Sequence, residues 1–156
     1  MNLEQMGFRC PDAEVVESVR LEGYRLAFCG GAGRGVATIL PEEGSHVDGV
    51  LWRISEQDEK SLDYYEGWPR FYGKEPLRVT RTNGRPVEAM AYTMNAPYKD
   101  SPALPAQSYL LGILSGCQQN HIDYAPILDA VQRTRQEVEH AKAQEHPKKK
   151  EREKGR

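Results

Sequence analysis

Apolar positions along this chain follow two periods, and the change from one to the other sets the predicted architecture. From 14 to 54 the spacing is that of strands. "EVVESVRLEGYRLAF" reads as two β-type runs on either side of Glu22-Gly23, a turn. "GVATILPEEGSHVDGVLWRI" reads as strand, turn, strand, with strands over 36–40 and 47–54. In "SEQDEKSLDYYEG" the period changes. Ser55 and Asp58 form an S-x-x-D pattern, the signature of a helix start. Glu56, Asp58 and Glu59 suit the positive end of that helix. Leu62 and Tyr65, three apart, face inward together, and Gly67 is the natural stop.

"PLRVTRTNGRPVEAMAYTM" is a predicted hairpin turning at Asn83-Gly84, the strongest short-range hairpin signal. The second arm alternates weakly, so it is expected to be covered on both faces. A Pro-rich loop covers 95–107, and helices follow over 107–117 and 124–142, with Pro126 in the first turn of the second. At the other end, "NLEQM" is a short helix capped by Asn2 and barred from continuing by Pro11. Strands followed by late helices predict an α+β domain with a small, closed or strongly curved sheet.

Charge changes this picture at one end only. The net charge is −2, but residues 141–156 carry seven Lys/Arg against three Glu, so a body of −6 precedes a basic segment of +4. An acidic body argues against broad nucleic-acid binding by the domain. The run "PKKKEREKGR" has no apolar residue to bury and is expected to be a solvated, disordered tail. The predicted division is a domain over 1–142 and a tail over 143–156. Cys10, Cys29 and Cys117 have no disulfide-like or metal-like spacing, which favours a reducing, cytoplasmic setting and no metal site. No stretch is long and apolar enough to span a membrane.

Three stretches bear on chemistry. "GGAGRG", residues 30–35, lacks G-x-G-x-x-G and is followed by a strand, so it reads as a strand connection rather than a phosphate cradle. No G-x-S-x-G or Ser/His/Asp set is evident. "SLDYYEGWPRFY" is the informative stretch. Glu66 ends a helix, where the partial negative charge disfavours an acid, and it lies among Tyr64, Tyr65, Trp68, Phe71 and Tyr72. Either Glu66 points into solvent, or apolar rings raise its pKa and make it a proton carrier near neutral pH.

Five segments occur in an order and spacing that resemble the γ-glutamylcyclotransferase-like family, which includes the AIG2-like proteins. They are "GVATI" (35–39), "DGVLWRI" (48–54), "LDYYEG" (62–67), a tyrosine at Tyr72, and "PVEAMAYTM" (86–94). "NLEQMGFRCPDAEVV" is also similar to the family's segment after its first strand. The resemblance implies a small mixed β-barrel with flanking helices. It implies an enzyme that releases 5-oxoproline from a γ-glutamyl compound and needs no cofactor. It places the family's acid/base at Glu66 and substrate contacts at Tyr72 and, more loosely, Tyr109. It allows a homodimer.

One departure bears on activity. The family opens with a strand and a Y-G-S-N turn, whereas Met1 matches the position just after that turn. The expectation is therefore a domain without that first strand and weakly active as written, with either a start further upstream or a lost substrate cradle. Two further readings stay open: a non-catalytic small-ligand-binding module of the same fold, and an interaction protein working through its late helices and basic tail.

Overall fold

The structure, a computed structural model, describes residues 1–155, with side-chain surroundings through Glu145. Helix α1 (Leu3–Arg9) leads into two long strands, β1 (Glu14–Gly31) and β2 (Arg34–Arg53). Helix α2 (Glu56–Glu66) connects them to β3 (Tyr72–Thr80) and β4 (Pro86–Met94). After a 3-10 turn at Tyr98–Asp100 come α3 (Gln107–Gln119) and α4 (Ala125–Lys154).

The α+β class is as the sequence predicts. The sheet has four antiparallel strands in the order β2-β1-β3-β4, and its ends do not pair. The two hairpins meet through one residue pair, Arg20 with Thr80. Curvature still brings the edges together, because the Met94 N–H of β4 donates to Thr38 Oγ1 of β2. Beside that contact, Ala37 presents its N–H to Tyr109 Oη at 2.9 Å, and its carbonyl accepts from Tyr72 O–H at 2.7 Å. Antiparallel residues send N–H and C=O to the same side. Tyrosine side chains therefore occupy this part of the edge, and the expected closed, mixed barrel is an open antiparallel sheet.

The two expected turns at Gly23 and Gly44 are interruptions inside long strands. Pairing runs from Glu14↔Arg53 to Gly31↔Arg34, with a register shift between Glu22 and Tyr24. Gly23 (φ 80°) and Gly44 (φ 82°) adopt the left-handed backbone that a turn would also need. The predicted hairpin at Asn83-Gly84 forms, with β3 starting earlier than expected, at Tyr72. The final helix continues to Lys154 rather than ending near 142. The side chains of 146–154, and with them the expected character of the basic tail, lie outside the described residues.

Three clusters build the body, one of them Ala27, Cys29, Tyr72 and Met94 beside the tyrosine-covered edge. Leu21, Leu77 and Val79 pack between the hairpins. Phe28, Cys117 and Ile127 lock α3 and α4 onto the sheet. Phe28 is 1% exposed, and burying such a ring contributes roughly 1.5–3 kcal/mol. Helix α1 lies on α3, where glycine permits close approach. A Cβ at Gly116 would meet Asn2 N at 2.8 Å, and one at Gly112 would meet Gln5 Nε2 at 2.9 Å. Asn2 Nδ2 donates to Gly112 O at 3.1 Å, which fixes α1 as one wall of the site.

Candidate active site

Helix α2 is built by its two ends. Ser55 Oγ accepts from the Asp58 N–H at 3.1 Å, and an Asp58 carboxylate oxygen accepts from the Ser55 N–H at 3.3 Å, a complete capping box. Gly67 closes the helix in left-handed conformation (φ 66°), and Trp68 N–H bonds back to Asp63 O at 2.9 Å. The last helical residue is thereby fixed in place, and it is Glu66.

A cavity of about 500 Å³ opens beside Glu66. Tyr65, Phe71, Tyr72, Tyr92 and Tyr109 supply its aromatic lining, and Asn2, Gln5 and Arg9 of α1 form the facing wall. The cavity thus joins residues from both ends of the five-segment pattern, with α3 contributing Tyr109, Gly112 and Ile113. Among the described residues, no other carboxylate lines it.

Glu66 accepts no hydrogen bond among the described residues, and its oxygens are not sealed from the cavity. Burial raises its pKa above the usual carboxylate range. The charge of Arg9, and after it the amino group of Met1, partly opposes that rise. Burial also pushes the phenols of Tyr72 and Tyr109 up, so both are neutral hydroxyls. Their protons are used differently. Tyr72 spends its O–H on Ala37 O. Tyr109 accepts from Ala37 N–H, which leaves its own proton free to donate into the cavity.

A polar cluster behind α2 steadies this wall. Lys74 Nζ stands 3.0 Å from Glu59 Oε1 and 2.9 Å from Asp63 Oδ1, and 4.3 Å from the Trp68 ring centroid. Tyr92 O–H donates to Asp63 Oδ1. Burial works against the Asp63 charge, but Lys74 and Tyr92 outweigh it and hold that carboxyl below its ordinary value.

Of the rings expected around Glu66, Tyr65, Phe71 and Tyr72 line the cavity. Tyr64 is 92% exposed, and Trp68 covers Lys74 on the outside. Leu62 and Tyr65 do not share an inner face, because Tyr65 borders the cavity beside Glu66 while Leu62 lines a separate apolar hollow. Sequence reasoning missed Tyr92 and the α1 wall. Asn2, Gln5 and Arg9 are spaced by three and four, the spacing that puts residues on one helix face, and that signal was available. Cys10, Cys29 and Cys117 are all buried, and none forms a disulfide.

An α+β sheet that presents one carboxylate of raised pKa in an aromatic-walled cavity has the chemistry suited to acid/base work on a small molecule. The family model described as gamma-glutamyl cyclotransferase, AIG2-like, matches residues 2–111, and the chain belongs to that family. It is 28% identical over 139 residues to gamma-glutamylcyclotransferase of Mus musculus, covering 83% of this chain and 72% of that protein. The Homo sapiens gamma-glutamylcyclotransferase matches at 27% over the same coverage. A solved gamma-glutamyl cyclotransferase superposes with a TM-score of 0.70 at 26% identity, covering 85% of this chain and 79% of that one. An uncharacterized human protein, loc79017, superposes with a TM-score of 0.69 over the same shares.

Proposed function

We propose that this cavity cyclises a γ-glutamyl group, releasing 5-oxoproline and the amine attached to it, with Glu66 moving the proton. The single observation that supports the role of Glu66 is its placement: a carboxylate held in a cavity wall, without a hydrogen-bond donor of its own and with its pKa raised by burial. Glu66 accepts a proton from the substrate's α-ammonium. The freed amine attacks the γ-carbonyl carbon, forming the new C–N bond of a five-membered ring. The protonated Glu66 then gives its proton to the departing nitrogen as the old C–N bond breaks. The regenerated carboxylate takes the second proton that the ring nitrogen loses in becoming the lactam N–H and passes it to the released amine, which leaves as an ammonium. One carboxylate serves both nitrogens, and no cofactor is consumed.

Because nucleophile and electrophile belong to one molecule, holding it curled supplies much of the acceleration. The aromatic wall provides the shape, and the free proton of Tyr109 is suited to the oxygen of the reacting carbonyl. Tyr72 contributes its ring and its hold on Ala37. A purely binding module would gain nothing from a donor-poor acid of raised pKa in this place, so the placement favours chemistry. A small γ-glutamyl substrate, a cytoplasmic setting and a homodimer complete this reading. Among the described residues no helix is long and apolar enough to cross a membrane.

The test is direct. The purified chain is incubated with γ-glutamyl amino acids and γ-glutamylamines, and 5-oxoproline is measured. Release from one of these classes is the expected result. Failure to release it from either, with the protein shown to be folded, overturns the reading.

A further inference from the structure

The cavity wall holds a permanent cation to which the proton shuttle assigns no task. Arg9 is the last residue of α1, and it lines the cavity together with Glu66. Its Cζ stands 3.5 Å from the centroid of the Tyr65 ring, a stacked cation–π contact that fixes the guanidinium without using its N–H donors. Arg20, Arg25, Arg53, Arg81 and Arg133 each reach a carboxylate. Arg9 reaches none among the described residues. It is close enough for its charge to act on Glu66, yet it does not pair with it. The Met1 amino group also borders the cavity, but burial drives it towards its neutral form, whereas a guanidinium stays charged.

The substrate supplies the missing partner. In a γ-glutamyl group the α-amine and the α-carboxylate share one carbon, so their centres lie only roughly 2.5–3.5 Å apart. Once the amine is at Glu66, the carboxylate has entered the same cavity. Unpaired there, it would lose water and gain nothing. A planar guanidinium accepts a carboxylate through two parallel N–H···O bonds, a match that an ammonium cannot make.

We propose that Arg9 anchors the α-carboxylate of the γ-glutamyl group and so selects γ-glutamyl donors over acyl amides that lack that carboxylate. Glu66 and Arg9 then form a fixed pair, one for each charge of the zwitterionic end, and together they orient the amine towards the γ-carbonyl. The inference rests on the cyclotransferase reading of Glu66.

The experiment compares two donors carrying the same amine: the γ-glutamyl amide, which closes to 5-oxoproline, and the 4-aminobutanoyl amide, which has the same nucleophile and carbonyl but closes to 2-pyrrolidinone. Wild-type protein is expected to favour the first strongly in kcat/KM. Arg9→Met should cost the γ-glutamyl donor about 10- to 150-fold, the worth of a charge-assisted contact, while the other donor is little changed. Arg9→Lys should fall between. Melting curves confirm that the variants fold. Retention of the wild-type preference in Arg9→Met overturns the proposal. Calorimetric binding of 5-oxoproline against 2-pyrrolidinone gives a readout that needs no turnover. A preference for the carboxylated ring that is lost in Arg9→Met supports the anchor, and its absence from the wild type, or its survival in the variant, overturns it. Silence of both donors with that preference intact would overturn the Glu66 chemistry and leave Arg9 as the anchor.

Discussion

The two ends of α2 each carry a carboxylate, one buried and one open to the cavity, and the contrast between them separates structure from chemistry. Asp58 is 1% exposed in the first turn. It accepts from the Ser55 N–H, sits at the positive end of the helix dipole, and its backbone carbonyl accepts from Cys10 Sγ–H at 3.6 Å. Eight residues later Glu66 sits at the negative end, accepts no hydrogen bond among the described residues, and has a raised pKa. Local donors satisfy the first acid and make it inert. The second is left in need of a proton partner, which is the condition of a useful acid/base. One helix can carry both because the capping box and the Gly67 stop fix its ends independently of what Glu66 does.

The largest expected effect breaks the reactive end. Glu66→Gln keeps the shape and removes the titratable group, so 5-oxoproline release should fall by about 100- to 10,000-fold, the range of general acid/base catalysis. Activity within a few-fold of wild type would show that the proton travels by another route. Asp58→Ala breaks the other end. It removes a buried cap at the N-terminus of the helix that positions Glu66, and should cost about 1–2 kcal/mol in a denaturant melt. Its catalytic loss should disappear at temperatures where the variant is fully folded. A persistent loss would mean that Asp58 takes part in the chemistry.

The same helix shows what a sequence can and cannot disclose. Ser55, Asp58 and Gly67 act within a few residues of themselves, so α2 was readable to its last residue, and Glu66 with it. Asn83-Gly84 was readable for the same reason. Gly23 and Gly44 were misread as turns, because a left-handed glycine inside a paired strand has the same local signature as one in a turn. Only the distant pairing of β1 with β2 distinguishes them. The open edge of the sheet was unreadable, since it depends on Tyr72 and Tyr109 meeting at Ala37 from two distant elements. Tyr64 is expected near Glu66 because it stands two residues away in sequence, but residues two apart on a helix point to different faces.

The two tyrosines at Ala37 decide whether the donor-poor end stays so when substrate is bound. Tyr109→Phe removes the free proton and leaves the Ala37 N–H without its acceptor. It should cost about 1 kcal/mol of stability and about tenfold in kcat/KM. Tyr72→Phe should cost similar stability by stripping the Ala37 carbonyl of its donor, with a smaller effect on rate. Equal kinetic losses would mean that both hydroxyls act only through β2.

The smallest effect is the most specific, because it changes sign between the ends. Asp58→Asn removes a charge that the helix N-terminus favours, and should lower stability by about 0.3–1 kcal/mol. Glu66→Gln removes a charge that its surroundings disfavour, and should raise the melting temperature. The sign follows from proton linkage. Because the folded-state pKa of Glu66 is raised, the folded protein holds an extra proton between the unfolded and folded values. Stability contributed by that proton is complete below the unfolded pKa and is lost as pH rises through the folded one. Wild type and Glu66→Gln should therefore melt alike in acid and diverge towards pH 8, with the variant higher. If the two curves stay parallel across that range, Glu66 carries no penalty in the fold and has no raised pKa to use. A variant that melts lower than wild type at pH 8 would mean that the carboxylate is stabilised where it stands, and the contrast with Asp58 would vanish.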